Sequence, residues 1–325
     1  MRILVLTDST HHSPENSVYG IVNALYRHPR VTSIILVNRA QKKNQPFFNA
    51  ESPELFGHEI NGEIKFPLDF RSDQLNRVDL SRIDFCFLRI ARPIHDQFFK
   101  HLVSLIPDRN IINRPSGIHL TSNKAFLLEL TKFTVDMKLC NNWKDIEEFY
   151  AKHACVLKPL LSYGGKGIVK IKEGHVDYEN STMTIEAFKS IYNNDPQPYL
   201  AMEYAEQVSK GDKRIVVAGG KILACSLRLP KEGEWLCNIA QGGSSHITEP
   251  DKTELEMVHY ISPILEEKGI FYFGLDTLVG NDGERFISEI NTLSIGGIVP
   301  AEKITGLNIT GQFADLFINY CESLI

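Results

Sequence analysis

Phe273-Gly274-Leu275-Asp276-Thr277-Leu278 and Phe286-Ile287-Ser288-Glu289-Ile290-Asn291 are two apolar runs joined through Asn281-Asp282-Gly283. They read as two strands, 271–279 and 285–290, meeting at an Asn/Asp/Gly turn. Glu289 and Asn291 are two residues apart on a strand, so they share one face. A neighbouring strand can bring Asp276 alongside them. Three hard oxygen ligands converging in this way suit Mg²⁺, which keeps waters and bridges phosphates. The plainer reading is a set of polar residues at strand ends. Against it, an isolated carboxylate in such apolar strands is expensive to bury.

Working outward, Val156-Leu157-Lys158-Pro159 leads into Ser162-Tyr163-Gly164-Gly165-Lys166-Gly167 and then a second apolar run, 167–171. This reads as strand, Gly-rich loop, strand, an antiparallel hairpin. Glycines let backbone N–H groups come close to phosphate oxygens. It is not a Walker A loop, because no G-K-[ST] follows and a strand rather than a helix comes next. Gly-Gly is also ordinary hairpin chemistry; Lys158 strengthens the phosphate reading, since a lysine in an apolar strand either snorkels or pairs with an anion. Further on, Gly211-Asp212-Lys213-Arg214 opens an apolar strand, 214–217, paired through Gly219-Gly220 with 221–228. Arg214 there either binds phosphate or carboxylate bidentately or belongs to a surface strand of alternating charge.

Around these segments, 199–204 is strand-like and is placed at the start of the last unit. Residues 251–268 and 308–323 have helical spacing, and the polar stretch 230–247 is expected to be a mobile loop closing over substrate. Upstream, 121–131 is expected to be a helix capped by Thr121 or Ser122, followed by a helix over 142–152. In the first 120 residues, apolar runs at 2–7, 34–37 and 83–89 alternate with helical patterns at 17–27 and 95–105, and a short strand lies near 110–113. That alternation predicts an open parallel sheet. Residues 40–75 carry Pro46, Pro53 and Pro67 and read as loop and edge. The organisation expected is an α/β (α+β) chain in three parts: 1–120, an open parallel-sheet domain; 121–198, a central domain; and 199–325, a domain with an antiparallel sheet.

The chain has 325 residues, 43% of them hydrophobic, enough for two or three structural units sharing a surface. With 35 Lys+Arg against 40 Asp+Glu the net charge is −5, which gives no electrostatic case for nucleic acid or an anionic membrane as partner. The first apolar run is too short for a signal peptide and is closed by Asp8; no stretch reaches about 20 apolar residues. None of the six cysteines forms a C-x-x-C pair, so they read as reduced, buried thiols in a cytoplasmic protein.

Taken together, Asn123-Lys124, Val156-Leu157-Lys158-Pro159, the Gly-Gly loop, Glu203-Tyr204, Gly211-Asp212-Lys213-Arg214, Gly274-Leu275-Asp276 and Glu289-Ile290-Asn291 resemble, in order and spacing, the ATP-grasp ligases. Arg228-Leu229-Pro230, Asn238 before Gly242-Gly243, and Lys268-Gly269 make the chain similar to the bacterial glutathione synthetase family. The resemblance implies an N-terminal substrate domain, a central lid and a C-terminal catalytic domain, with ATP between the last two. It implies that Lys124, Lys158 and the loop Tyr163, Gly164, Gly165 and Lys166 bind ATP phosphates, that Glu203, Tyr204 and Ala205 hold adenine through backbone bonds, and that Asp212 reaches the ribose. Asp276, Glu289 and Asn291 would carry Mg²⁺, with Mn²⁺ the alternative ion. Arg214, with Arg228 as second candidate, would stabilise an acyl phosphate or tetrahedral intermediate. Arg89, Asn238, Ser294, Gly296 and Gly297 would line the sites for small acidic peptide and amino-acid substrates. Such proteins are usually homo-oligomers.

Three segments depart from that family's pattern. Arg-Lys-Asp-Pro-Pro is replaced by Arg89-Ile90-Ala91-Arg92-Pro93; the Arg before Asn238 is replaced by Leu236; and Val-Thr-Ser-Pro-Thr is replaced by Thr292-Leu293-Ser294-Ile295-Gly296. All three lie at the substrate sites, so another acid–amine pair is an alternative, and a non-catalytic ATP-binding module is a further one. The side chain of Ile295 either meets substrate or simply packs. His11 and His12 follow the first strand in a polar loop and are either solvated or in contact with substrate.

Overall fold

The structure is a computed structural model that describes residues 1–68, 75–179, 181–231 and 244–325. Its strands build three sheets. The first holds β1 (Arg2–Thr7), β2 (Ser33–Asn38), β3 (Phe56–Glu59), β4 (Asn76–Arg77), β5 (Phe85–Arg89) and β6 (Ile111–Ile112), in the order β4-β3-β2-β1-β5-β6. β2, β1, β5 and β6 run parallel, whereas β3 and β4 add an antiparallel edge. The expected parallel sheet is therefore mixed. The edge comes from the stretch read as loop and edge, where a short return needs no crossover helix. The helix Ser17–Arg27 starts where the Asn16 side chain accepts the Val18 N–H, and it buries Val18, Ile21, Val22 and Leu25.

The second sheet contains β7 (Met137–Cys140), β8 (Cys155–Pro159), β9 (Val169–Lys172), β10 (His175–Tyr178), β11 (Ser181–Thr184) and β12 (Tyr199–Glu203), in the order β11-β10-β9-β8-β12-β7. Every pairing is antiparallel. Tyr199–Glu203, expected to open the last unit, is instead bonded to both β7 and β8. The helices Trp143–Tyr150 and Ile185–Asn194 bring Trp143, Phe149, Phe188 and Tyr192 into a core of this sheet's own. The helix expected over 121–131 is different: a helix Pro115–Thr121 ends there, and Asn123 caps a 3₁₀ turn, Lys124–Glu129, by accepting from the Ala125 N–H.

The third sheet is antiparallel: β13 (Asp212–Ala218), β14 (Lys221–Leu229), β15 (Ser244–Ile247), β16 (Tyr272–Val279) and β17 (Arg285–Asn291), in the order β15-β14-β13-β16-β17. β15 occupies the end of the stretch expected to be a mobile loop, because its residues pair with 226–229 of β14. The rest of that expectation, including Asn238, lies outside the described residues. Helix Lys252–Glu267 opens with a reciprocal capping box between Asp251 and Glu254. The last helix, Ile309–Ser323, returns to the N-terminal sheet, where Phe313 and Phe317 meet Phe87 of β5 and Phe271. The first and third sheets thus share a core. Cys86, Cys140, Cys155, Cys225 and Cys321 are buried free thiols, and no helix among the described residues is long and apolar enough to cross a membrane.

Candidate active site

Strand alternation sorts the side chains of β13. Asp212 and Arg214 face one way; Lys213 faces the other, where its Nζ lies 2.7 Å from the buried Glu254 of helix Lys252–Glu267. In register, Arg214 lies opposite Asp276 of β16, and Asp276 opposite Glu289 of β17; Asp212 lies opposite Arg228 of β14. One face of the third sheet therefore carries a row of charges. Above it lie β8, β12 and the Gly-rich loop of the second sheet, enclosing a cavity of about 300 Å³.

The charges pair tightly. Arg214 grips Asp276 with two bonds, Nε–Oδ1 at 2.7 Å and Nη2–Oδ2 at 2.6 Å. Arg228 donates through Nε to Asp212 Oδ1 at 2.8 Å and through Nη2 to the other oxygen, and the same Nη2 lies 2.9 Å from Asp276 Oδ2. The Asn291 amide donates to Asp276 at 3.2 Å. Burial opposes the charge on Asp276, but Arg214 and Arg228 outweigh it and hold the carboxyl well below the usual range. Asp212 goes the other way: burial and then, beyond the relief from Arg228, the neighbouring Asp276 push it up to about 6. Expected to reach a ribose, Asp212 lines the cavity with both oxygens taken by Arg228.

Lys158 of β8 reaches down to the Ser288 carbonyl at 2.9 Å, and Lys124 lies 3.7 Å from Glu289 while also donating to the Ser162 carbonyl. Burial lowers the pKa of both lysines, and Glu289 partly restores it. Gly164 and Gly165 line the cavity with φ of +65° and +75°, a left-handed turn that glycine takes without strain. Tyr163 and Lys166 sit at the loop's exposed tip, with the ammonium 5.7 Å from the ring, and do not line the cavity.

The far end is apolar, walled by Val156, Ile168, Met202, Leu278 and Phe286 beside Glu203, Tyr204 and Ala205. Two of the three amides expected to meet adenine are committed: Glu203 N–H to Asp136 O at 3.0 Å and Tyr204 N–H to Ala154 O at 2.8 Å. No backbone partner of the Ala205 amide occurs among the described residues.

Arg89, at the end of β5, is outside this cavity. It is 3% exposed and donates to the Ile295 carbonyl at 2.6 Å, while its Nε and Nη1 have no partner among the described residues. The Ile295 side chain packs in the shared core. Ser294 has a φ of +53°, Gly296 follows Ile295, and Gly297 begins the helix Ile298–Thr305 with a φ of +112°. His11 is exposed. His12 is half-buried, its ring nitrogens 3.1 Å from the Tyr19 hydroxyl and 3.4 Å from Thr7 Oγ1, and burial lowers its pKa.

The reading by residue type missed that Arg228 and Arg214 bracket the acids; the period-two spacing of 212, 214, 226 and 228 was the available signal. It had no signal for the Ser288 carbonyl, a backbone group with no side-chain signature.

Comparison with known proteins bears on the family and the fold. The model of the prokaryotic glutathione synthetase ATP-grasp domain matches residues 123–306. The glutathione synthetase of Buchnera aphidicola subsp. Schizaphis graminum is 28% identical over 290 residues, 87% of this chain and 84% of that protein. That of Agrobacterium fabrum is 29% identical over 250 residues, 76% of this chain and 75% of its own. A D-cycloserine synthetase shares the fold over the full length of both chains, with a TM-score of 0.67 at 12% identity. An ATP-grasp ligase from Chryseobacterium gregarium, solved with ADP and a leader and core peptide, superposes with a TM-score of 0.63 at 15% identity, covering 98% of this chain and 96% of the other.

Proposed function

Since the chain belongs to the prokaryotic glutathione synthetase family of ATP-grasp proteins and is an ATP-dependent ligase forming a carbon–nitrogen bond, we propose that it joins γ-glutamylcysteine to glycine. The observation that carries the reading is the row Arg214–Asp276–Glu289 beneath Lys158 and the glycine turn. The apolar end accepts adenine, with the Ala205 amide available to the base. Lys124 and Lys158, both desolvated, and the Gly164–Gly165 backbone take the α- and β-phosphates.

The carboxylate of the dipeptide attacks the γ-phosphorus, giving an acyl phosphate and ADP. The glycine amine then attacks the acyl carbon, inorganic phosphate leaves, and the amide nitrogen loses its proton. The protein orients and neutralises rather than bonding covalently. Arg214 and Arg228 lie where they can turn from the acids to an anionic intermediate. The two unpartnered donors of Arg89 suit a substrate carboxylate.

Asp276, Glu289 and Asn291 fit a hard divalent cation: two carboxylates and an amide on one sheet face, where buried Asp276 now draws its positive charge from arginines. Mg²⁺ held there would add the charge that four cationic side chains facing Asp212, Asp276 and Glu289 lack against a triphosphate. The buried, unpaired cysteines support a cytoplasmic setting.

A second reading, ligation of a different acid–amine pair, is favoured by the departure Arg89-Ile90-Ala91-Arg92-Pro93, in which Nε and Nη1 of Arg89 have no hydrogen-bond partner among the described residues. Phosphate release from Mg·ATP with γ-glutamylcysteine and glycine, singly and together, beside a panel of other acids and amines, separates the two. Turnover confined to the full pair is expected; turnover with another pair alone would replace the first reading by the second.

A further inference from the structure

Asn281 sits in the turn between β16 and β17 and reaches across to the stretch that leaves β12. Its Nδ2 donates to Glu203 Oε1 at 2.8 Å and to the Tyr204 carbonyl at 3.1 Å, and its Oδ1 accepts the Glu206 N–H at 2.9 Å. A backbone N–H can only donate, so Glu206 fixes which way the amide faces. The turn does not need this side chain for its shape. The Gly280 N–H donates to the Glu284 carbonyl at 2.7 Å, and the Glu284 N–H to Asp282 Oδ1 at 3.0 Å. Asn281 is exposed and does not line the cavity, whereas Tyr204 and Ala205 do.

The Tyr204 carbonyl and the Ala205 N–H belong to one peptide group, and that peptide is trans. A trans peptide points its C=O and N–H in opposite directions. Holding the carbonyl on the Asn281 side therefore turns the Ala205 N–H to the cavity side. This is the amide without a backbone partner among the described residues. The same peptide turned over would offer the cavity a carbonyl instead. Adenine has a bare ring nitrogen on its pairing edge, which needs an N–H. Hypoxanthine has an N–H at that position, which needs a carbonyl. We propose that Asn281 is a positioning residue for nucleobase selectivity. By clamping the 204–205 peptide from outside the cavity, it makes the site read adenine and reject bases with the opposite donor pattern. The inference rests on the adenine placement proposed above, but not on which acid and amine are joined.

The test measures kcat/KM for ATP and for inosine triphosphate by phosphate release, using whichever acid–amine pair the panel selects. Wild type is compared with Asn281→Ala, Asn281→Asp and Gln207→Ala. Asn281→Asp keeps an acceptor for the Glu206 N–H but loses the donor to the Tyr204 carbonyl. Gln207→Ala removes a different bond across the same joint, from Gln207 Nε2 to the Gly280 carbonyl at 2.9 Å. The wild type is expected to prefer ATP. Both Asn281 variants should lower that preference about tenfold, the effect of one mispaired hydrogen bond, while Gln207→Ala leaves it unchanged. A preference kept in either Asn281 variant overturns the proposal, even where both KM values rise together, as a merely loosened joint would make them. An equal fall in Gln207→Ala overturns it as well. A wild type that does not distinguish the two nucleotides would sink the adenine placement and this inference with it, whereas a wild-type preference that the Asn281 variants do not move sinks this inference alone.

Discussion

Lys213 and Arg214 are adjacent cations with different work because a strand turns successive side chains to opposite faces. Lys213 neutralises Glu254, which is fully buried and also accepts from Thr277 Oγ1 at 2.6 Å. Among the described residues, Lys213→Met would leave that carboxylate with Arg285, whose Nε is 3.5 Å away, as its one cationic partner. Removing one partner of a buried pair predicts a loss of about 3 kcal/mol in unfolding free energy, measured by denaturant titration. Mg·ATP affinity should change little, since the substitution points away from the cavity. Arg214→Ala has the opposite profile. Loss of a preorganised cationic donor predicts a fall in kcat on the order of 10²–10³, read by phosphate release. An Arg214→Ala enzyme with undiminished kcat would remove Arg214 from the chemistry.

At the scale of elements, the helix Pro115–Thr121 holds the N-terminal sheet against the turn at Lys268–Gly269. A Cβ on Gly117 would lie 2.0 Å from the Lys268 carbonyl oxygen, a backbone atom that cannot swing aside. Gly117→Ala should cost about 2 kcal/mol as overpacking, seen as a lower denaturant midpoint, and a neutral result would mean that the turn relaxes freely. This helix was not legible in the sequence: Pro115-Ser116-Gly117 looks like a turn, and a proline at the first helical position is easily mistaken for a break. The strands that carry Asp276, Glu289 and Lys158 were legible, because apolar runs with single polar interruptions are hard to explain otherwise. β10, β11 and the helix Ile185–Asn194 were not, since short polar strands have no strong period. At the site, residue type named the charged groups, but their pairing depended on register, which a single chain does not display. The assignment of 199–204 to the last unit failed for the same reason: a strand's sheet is set by partners remote in sequence.

For the whole molecule, the distribution of cores sets how it should come apart. The first and third sheets are joined by the last helix, whose Phe313 and Phe317 are fully buried between them. The outer face of the second sheet has a smaller core of its own around Trp143, Phe188 and Tyr192. Between the second and third sheets, polar links (Lys158 to Ser288, Lys124 to Glu289, and Asn281 to Glu203 at 2.8 Å) run beside an apolar seam in which Leu200 and Met202 of β12 join the cluster of Leu275, Phe286 and Ile287. Polar links and a seam centred on one strand couple units less strongly than the aromatic packing shared by the first and third sheets. The second sheet should therefore unfold first on heating. Trp143 fluorescence, read in a Trp235→Phe background so that it alone reports, should show a transition below that seen by far-ultraviolet circular dichroism. Mg·ATP, bound across the cavity, should raise the lower transition more than the upper, by about 2.7 kcal/mol at a hundredfold excess over Kd. Coincident transitions without nucleotide would show that the polar links and the seam at β12 suffice to make the three sheets one cooperative unit. A nucleotide that raised only the upper transition would place its site off the interface between the second and third sheets.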